Sequence, residues 1–215
     1  MGGRGPGPAA IPGALRGRTV TAAASAWYQA FRAPVIRYQH AGPLREAALS
    51  GRLGEWTRLL TGVVVESCGS LGWVAVARQH IGEVLPVSRQ EYLGLDITAF
   101  GRETEDENPR WRAPLAVFEL ENRQDRAVIA YSLWKVSVVR CGLRGVICYQ
   151  RAPTAVPGLV SELETGVMRA LEPQPHDGGD VLLVVGTRAA AGSFPDGFFQ
   201  PWYWDPHWRR FQGLL

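Results

Sequence analysis

Four side chains in the middle of this sequence have the types and spacing of a hydrolytic site. Glu119 and Glu121 flank Leu120 in Phe118-Glu119-Leu120-Glu121-Asn122. Fourteen residues on stands Lys135, the one lysine among 23 basic residues. Arginine serves elsewhere as the surface cation. A lysine differs from it in being a compact charge that can approach a phosphate oxygen or a metal-bound water, whereas arginine is a rigid fork. The fourth is Asp96, in Leu95-Asp96-Ile97.

Side chains alternate along a strand, so Glu119 and Glu121 share one face with Leu115 and Val117. Asp96 shares its face with Tyr92, Gly94 and Thr98. If the two segments pair as neighbours, Asp96 stands beside Glu119. Both segments are otherwise apolar, as strands covered on both faces are. Clustered buried carboxylates repel and are costly to desolvate. A divalent cation held by oxygen ligands relieves both, and Mg2+ or Mn2+ is the expected cofactor. Such an ion activates water and offsets charge on a phosphoryl group. A plainer alternative stays open, in which Glu119 and Glu121 meet solvent at the end of a strand. Asn122 is a turn residue or a hydrogen-bond partner of the acids. Tyr131 and Ser132 lie four and three residues before Lys135 and share its helix face. Ile129, Leu133 and Val136 occupy the core side.

These residues need a scaffold. Apolar spacing predicts a helix from Pro43 to about Ser70, with a break near Gly51. Strands are expected at Trp73–Ala77, Ile81–Val87, Glu91–Phe100 and Pro114–Glu121. Pro86 suggests an edge position for the second. A helix over Arg126–Arg140 follows, then a strand at Leu143–Gln150, a helix at Val156–Leu171 and a strand at Asp180–Gly186. The aromatic stretch Phe198–Phe211 is expected to be a hairpin or an edge strand. The order predicts a mixed α/β (α+β) domain, its sheet covered by helices. Met1 to about Arg18 is a Gly/Pro/Arg-rich tail, and residues 19–215 form a single domain. The acidic stretch Gly101–Arg112 is expected to be a solvated loop.

The element order, Asp96, Glu119-x-Glu121 and Lys135 together resemble the PD-(D/E)XK nuclease superfamily, the restriction-endonuclease-like fold. The resemblance runs from about Leu44 to Arg151. It implies a core of helix, three strands, helix and strand. It also implies a Mg2+- or Mn2+-dependent endonuclease acting on DNA, with Asp96, Glu119 and Glu121 as metal ligands. Lys135 would be the catalytic lysine, moved to the following helix. Two departures stand out: Glu121 replaces the usual lysine, and Leu95 the usual proline. Glu55 or Glu66 would supply the acid that the first helix sometimes adds. A catalytically inactive binding or scaffold protein on the same fold is the alternative.

Other signals bear on partners. Trp202, Tyr203, Trp204 and Trp208, with Arg209 and Arg210, suit either base stacking with phosphate binding or cover for a sheet edge. The net charge of +3 permits a polyanion partner. Hydrophobic residues make up 46% and charged residues 20%, a globular balance. There is no apolar run long enough for a membrane helix and no secretory h-region. Three cysteines without C-x-x-C fit a reducing compartment. The expectations are therefore a cytoplasmic protein, DNA as partner, no membrane, and a homodimer as an allowed assembly. Ser67-Cys68-Gly69 has the look of a nucleophile turn, but core or turn roles are favoured there.

Overall fold

The computed structural model describes residues 22–102, 111–171 and 179–214. The N-terminal tail and most of the acidic loop lie outside the described residues. Three helices come first: α1 (Ala22–Ile36), α2 (Tyr38–Ser50) and α3 (Leu53–Ser70). Gly51 ends α2 with φ of 68°, a left-handed cap that glycine adopts without penalty. The break expected near Gly51 is therefore real.

Seven strands then form one sheet in chain order. They are β1 (Trp73–Ala77), β2 (Ile97–Gly101), β3 (Ala116–Leu120), β4 (Leu143–Gln150), β5 (Asp180–Thr187), β6 (Phe199–Asp205) and β7 (Arg210–Gly213). The first three are antiparallel. Strands β3, β4 and β5 run parallel, and β6 and β7 reverse again. Parallel neighbours need crossovers, which α4 (Arg126–Ser137) and α5 (Val156–Leu163) supply. Both pack on the same face, as crossovers of one hand require. The mixed α/β architecture expected from the sequence is the one observed.

The strand period of two sorts side chains between two cores. Ala116, Phe118 and Leu120 face α1–α3, with Trp27, Phe31 and Leu60. Trp27 stacks on Phe118 with ring centroids 4.5 Å apart. Val117 faces α4 and α5, among Ile129, Leu133, Val146 and Leu159. Glu119 follows Val117 by two residues and so turns to the α4 side.

Two expected elements differ. The segment Ile81–Val87 is not a strand. An isolated bridge joins Ala77 to His80, just before the segment. Gln79 turns the chain with a left-handed φ of 68°. The Arg112 side chain donates to the carbonyls of Val84 (3.2 Å) and Gly101 (2.8 Å), so a guanidinium stands where a ladder would. Of Glu91–Phe100, only the second half is strand. Tyr92–Gly94 is a 3₁₀ turn, with Leu93 at φ 58° and Gly94 at φ 65°. Helix α5 is shorter than expected, passing into a π-turn at Glu164–Met168.

Gly145 pairs with Phe118 across β3 and β4. A Cβ there would lie 2.3 Å from the Phe118 ring. Phe118 is itself fixed by Trp27. Gly145→Ala should therefore destabilise the domain by roughly 1–3 kcal/mol. Urea unfolding checks this, and an unchanged midpoint would contradict the packing described.

Candidate active site

The β2–β3 ladder stops at Ile97 opposite Phe118. Beyond that point the two chains separate, and side chains replace backbone partners. The Leu120 N–H donates to Asp96 Oδ2 at 2.7 Å. The Asp96 N–H donates to Glu119 Oε1 at 3.2 Å. Each strand end is thus closed by a carboxylate from the other. Buried N–H groups demand such partners, and the exchange brings Asp96 and Glu119 together at the fork.

Lys135 completes the cluster. Asp125 caps α4 by accepting the N–H groups of Ala127 (2.8 Å) and Val128 (3.4 Å). Ile129, Leu133 and Val136 then anchor the helix on the sheet. Lys135 leaves this apolar face and reaches back over the fork. Its Nζ lies 2.8 Å from Glu119 Oε2 and donates to the Gly94 carbonyl at 2.9 Å. The Glu119 side chain is only 8% exposed and that of Lys135 24%.

Burial dominates the charge state of Glu119. It pushes the carboxyl up from 4.5 to about 7, more than the Lys135 hydrogen bond pulls it down. The Asp96 charge raises it further.

Asp96 also lines a cleft of about 360 Å³ on the α3 side of the fork. Thr57, Arg58 and Thr61 border it from α3, and Arg78 and Glu91 from the loops beside β1 and β2. Sequence reasoning passed over these residues. The signal was the stripe of Gly54, Thr57, Arg58 and Thr61, which recur at threes and fours along an otherwise apolar helix. Thr57 also ties the cleft to the strand end, because Asn122 Nδ2 donates to its Oγ1.

The remaining candidates lie elsewhere. The Glu121 N–H continues the β3–β4 ladder to Ile147, and its carboxylate accepts the Arg123 N–H at 2.7 Å. Its charge acts on Cys148, whose thiol burial pushes well up, and not on Glu119. Glu55 pairs with Arg52 at 2.5 Å. Glu66 pairs with Arg37 and with His40. Tyr131 is on the Lys135 side, its ring centroid 5.9 Å from Nζ. Trp204 is buried against Phe211. Trp208 is exposed beneath the Arg210 guanidinium. Arg209 has a left-handed φ of 51° in the turn between β6 and β7. These aromatic and basic residues belong to the last two strands of the sheet, whereas the fork lies between the second and third. Ser67 donates to the Val63 carbonyl at 2.6 Å, within its own helix.

Among the described residues, no three His, Cys, Asp or Glu side chains gather around one point. Asp96 and Glu119 are neighbours through backbone: the Asp96 N–H bonds Glu119, and the Asp96 charge acts on it. A carboxylate has about four acceptor positions. The bonds described use one at Asp96 and two at Glu119. Mg2+ is commonly held by one or two carboxylates, with water and phosphate oxygens completing six ligands. The Asp96–Glu119 pair fits that mode; a cage of three protein carboxylates including Glu121 does not.

No protein family, curated protein or solved structure matches this chain. Among the described residues, no helix is long and apolar enough to cross a membrane.

The raised Glu119 value has a signed consequence. The folded chain binds this proton more tightly than the unfolded chain does. Its stabilising contribution is complete below about pH 4.5 and is lost as pH rises through about 7. Lys135 and Asp96 are the charges that face it. Wild type should therefore lose roughly 1–3 kcal/mol relative to Glu119→Gln between about pH 4.5 and pH 8. Paired urea titrations measure the difference; a gap independent of pH would contradict the assignment.

Proposed function

We propose that this protein is a divalent-cation-dependent nuclease that hydrolyses DNA phosphodiester bonds on a restriction-endonuclease-like core. The observation that carries the reading is the grouping of Asp96, Glu119 and Lys135 at the strand fork, with Asp96 lining a cleft bordered by Arg58 and Arg78. The order α3, β1, β2, β3, α4, β4 supports the same reading.

Asp96 and Glu119 would hold Mg2+ or Mn2+. When bound, the ion supplies Lewis acidity toward a phosphoryl oxygen and lowers the pKa of bound water. Lys135 sets the position of the Glu119 carboxylate and brings a positive charge to where the scissile phosphate gains negative charge. Arg58 and Arg78 attract the phosphodiester backbone to the cleft. Thr57 and Asn122 join α3 to the end of β3, which fixes the distance between cleft and carboxylates.

A second reading, a catalytically inactive binding or scaffold protein, has one observation in its favour. Both Glu119 oxygens are already engaged within the protein.

Plasmid and oligonucleotide cleavage separates the two. Wild type should cleave DNA with Mg2+ or Mn2+ and not with a chelator. Asp96→Asn, Lys135→Ala and Lys135→Arg should each lower the rate about 100-fold or more, with circular dichroism verifying that each variant is folded at the assay temperature. The cation should also raise the melting temperature of wild type and not of Glu119→Gln. DNA binding without cleavage in every metal would establish the second reading.

A further inference from the structure

The cleft beside Asp96 is bordered by two arginines that the fold itself does not use. Among the described residues, Arg58 and Arg78 have neither an ion-pair nor a hydrogen-bond partner. Arg52, at the start of the same helix region, is by contrast paired with both Glu46 and Glu55. Thr61 is left over in the same way. It is 8% exposed and lines the cleft, yet among the described residues its hydroxyl has no partner. Thr57 and Ser67 on the same helix donate to the carbonyls four residues back. A hydroxyl buried to that degree is ordinarily hydrogen-bonded.

The turn that carries Arg78 points to the same place. Arg78 and Gln79 link Ala77 to His80, whose backbones bond in both directions. Gln79 takes a left-handed φ of 68°, at a turn position that glycine or asparagine fills at little cost. The strained glutamine brings a side-chain amide to the cleft wall. Gly54 borders the cleft, and a Cβ there would meet nothing within 4 Å. Its missing side chain therefore keeps space open instead of avoiding a clash.

Charge and size say what enters. Two free guanidinium groups match a phosphomonoester, which carries about 1.5–2 negative charges at pH 7, better than the single charge of an internal phosphodiester. A cleft of about 360 Å³ has room for a piece of small-molecule size, such as one nucleotide, and not for a length of duplex. Among the described residues, no aromatic ring lines it, so it offers a base no stacking face. Glu91 and Asp96 are the opposing charges there. They accept from sugar hydroxyls, and Asp96 as a metal ligand would share its cation with the phosphate.

We infer that this cleft is a pocket for the phosphorylated end of a DNA strand, with Arg58, Arg78 and Thr61 holding the terminal phosphomonoester, so that hydrolysis begins at strand ends. The inference rests on the reading of Asp96, Glu119 and Lys135 as a phosphodiester site. Asp96 belongs to both cleft and cluster, which sets the held end beside the carboxylates.

The test uses the full chain and a single-stranded oligodeoxynucleotide of about 12 nucleotides, labelled on an internal base. It carries a phosphate at its 5′ end, at its 3′ end or at neither. Anisotropy in chelator reads binding without hydrolysis. One phosphorylated form should bind about 10-fold more tightly than the unphosphorylated one, which also identifies the end. Arg58→Ala and Arg78→Ala should each abolish that difference. Gly54→Leu, which fills the cleft and keeps every charge, should abolish it too. Thr61→Val should reduce it roughly 3-fold, and Glu91→Gln should enlarge it by removing a like charge. Arg45→Ala, at an exposed arginine of α2 that does not line the cleft, should leave it intact. Circular dichroism melting verifies that the variants fold. Equal binding of the three oligonucleotides overturns the pocket. So does a difference that survives Gly54→Leu, or one that Arg45→Ala removes as fully as Arg58→Ala. Cleavage in Mg2+ keeps the two readings apart. Binding that depends on the end phosphate, without cleavage, leaves the pocket standing and removes the nuclease reading. Cleavage of closed circular DNA as fast as of phosphorylated linear DNA does the reverse.

Discussion

The fork between β2 and β3 is the constraint on which the site depends. A β-ladder that simply ends leaves N–H groups without partners. Here the Leu120 and Asp96 N–H groups are received by the carboxylates of Asp96 and Glu119. The same bonds that close the sheet bring two acids side by side. Glu119 cannot withdraw into water, because Val117 and the α4 core surround its face of the strand. Its charge is balanced from above by Lys135, and incompletely, since burial still raises its proton affinity. A buried acid held partly unneutralised is poised to take up a proton, and its neighbour Asp96 lines the cleft.

The rest of the fold fixes this geometry. Phe118 alternates with Val117 and Glu119, so its packing against Trp27 and the close approach of Gly145 set the register of β3. A slip of one residue would turn Glu119 into the α1–α3 core and Phe118 toward Lys135. The Asp125 cap starts α4 at the point that carries Lys135 back over the strand end. On the other face, Asn122 bound to Thr57 ties α3 to the same strand end. Sheet, crossover helix and cleft helix thus meet within the four residues after Phe118.

Much of this was legible in the sequence. The period of two around Glu119, the helix start at Arg126 and the core spacing of Ile129, Leu133 and Val136 are local patterns, and local patterns survive folding. Glu121 misled because alternation gives a shared face and not a shared direction. It lies past the last β3 residue, where its carboxylate turns back to the Arg123 N–H. Glu55 and Glu66 misled for a related reason, since arginine and histidine partners are set by packing of α1–α3 rather than by spacing. Trp204 and Trp208 looked equivalent in sequence, yet strand alternation and the β6–β7 turn bury one and expose the other. The segment Ile81–Val87 was apolar enough for a strand. A side chain distant in sequence, Arg112, bonds its Val84 carbonyl instead.

The charge state of Glu119 tests the central claim directly. Carbon-13 NMR of the glutamate side-chain carboxyl carbons, with Glu119→Gln to assign the signal, follows its titration in the intact chain. The account predicts a midpoint near 7 in wild type, a higher one in Lys135→Ala, and a lower one when Mg2+ is added. A Glu119 that titrates at the ordinary 4.5 and responds to neither the lysine nor the cation would contradict the site as described.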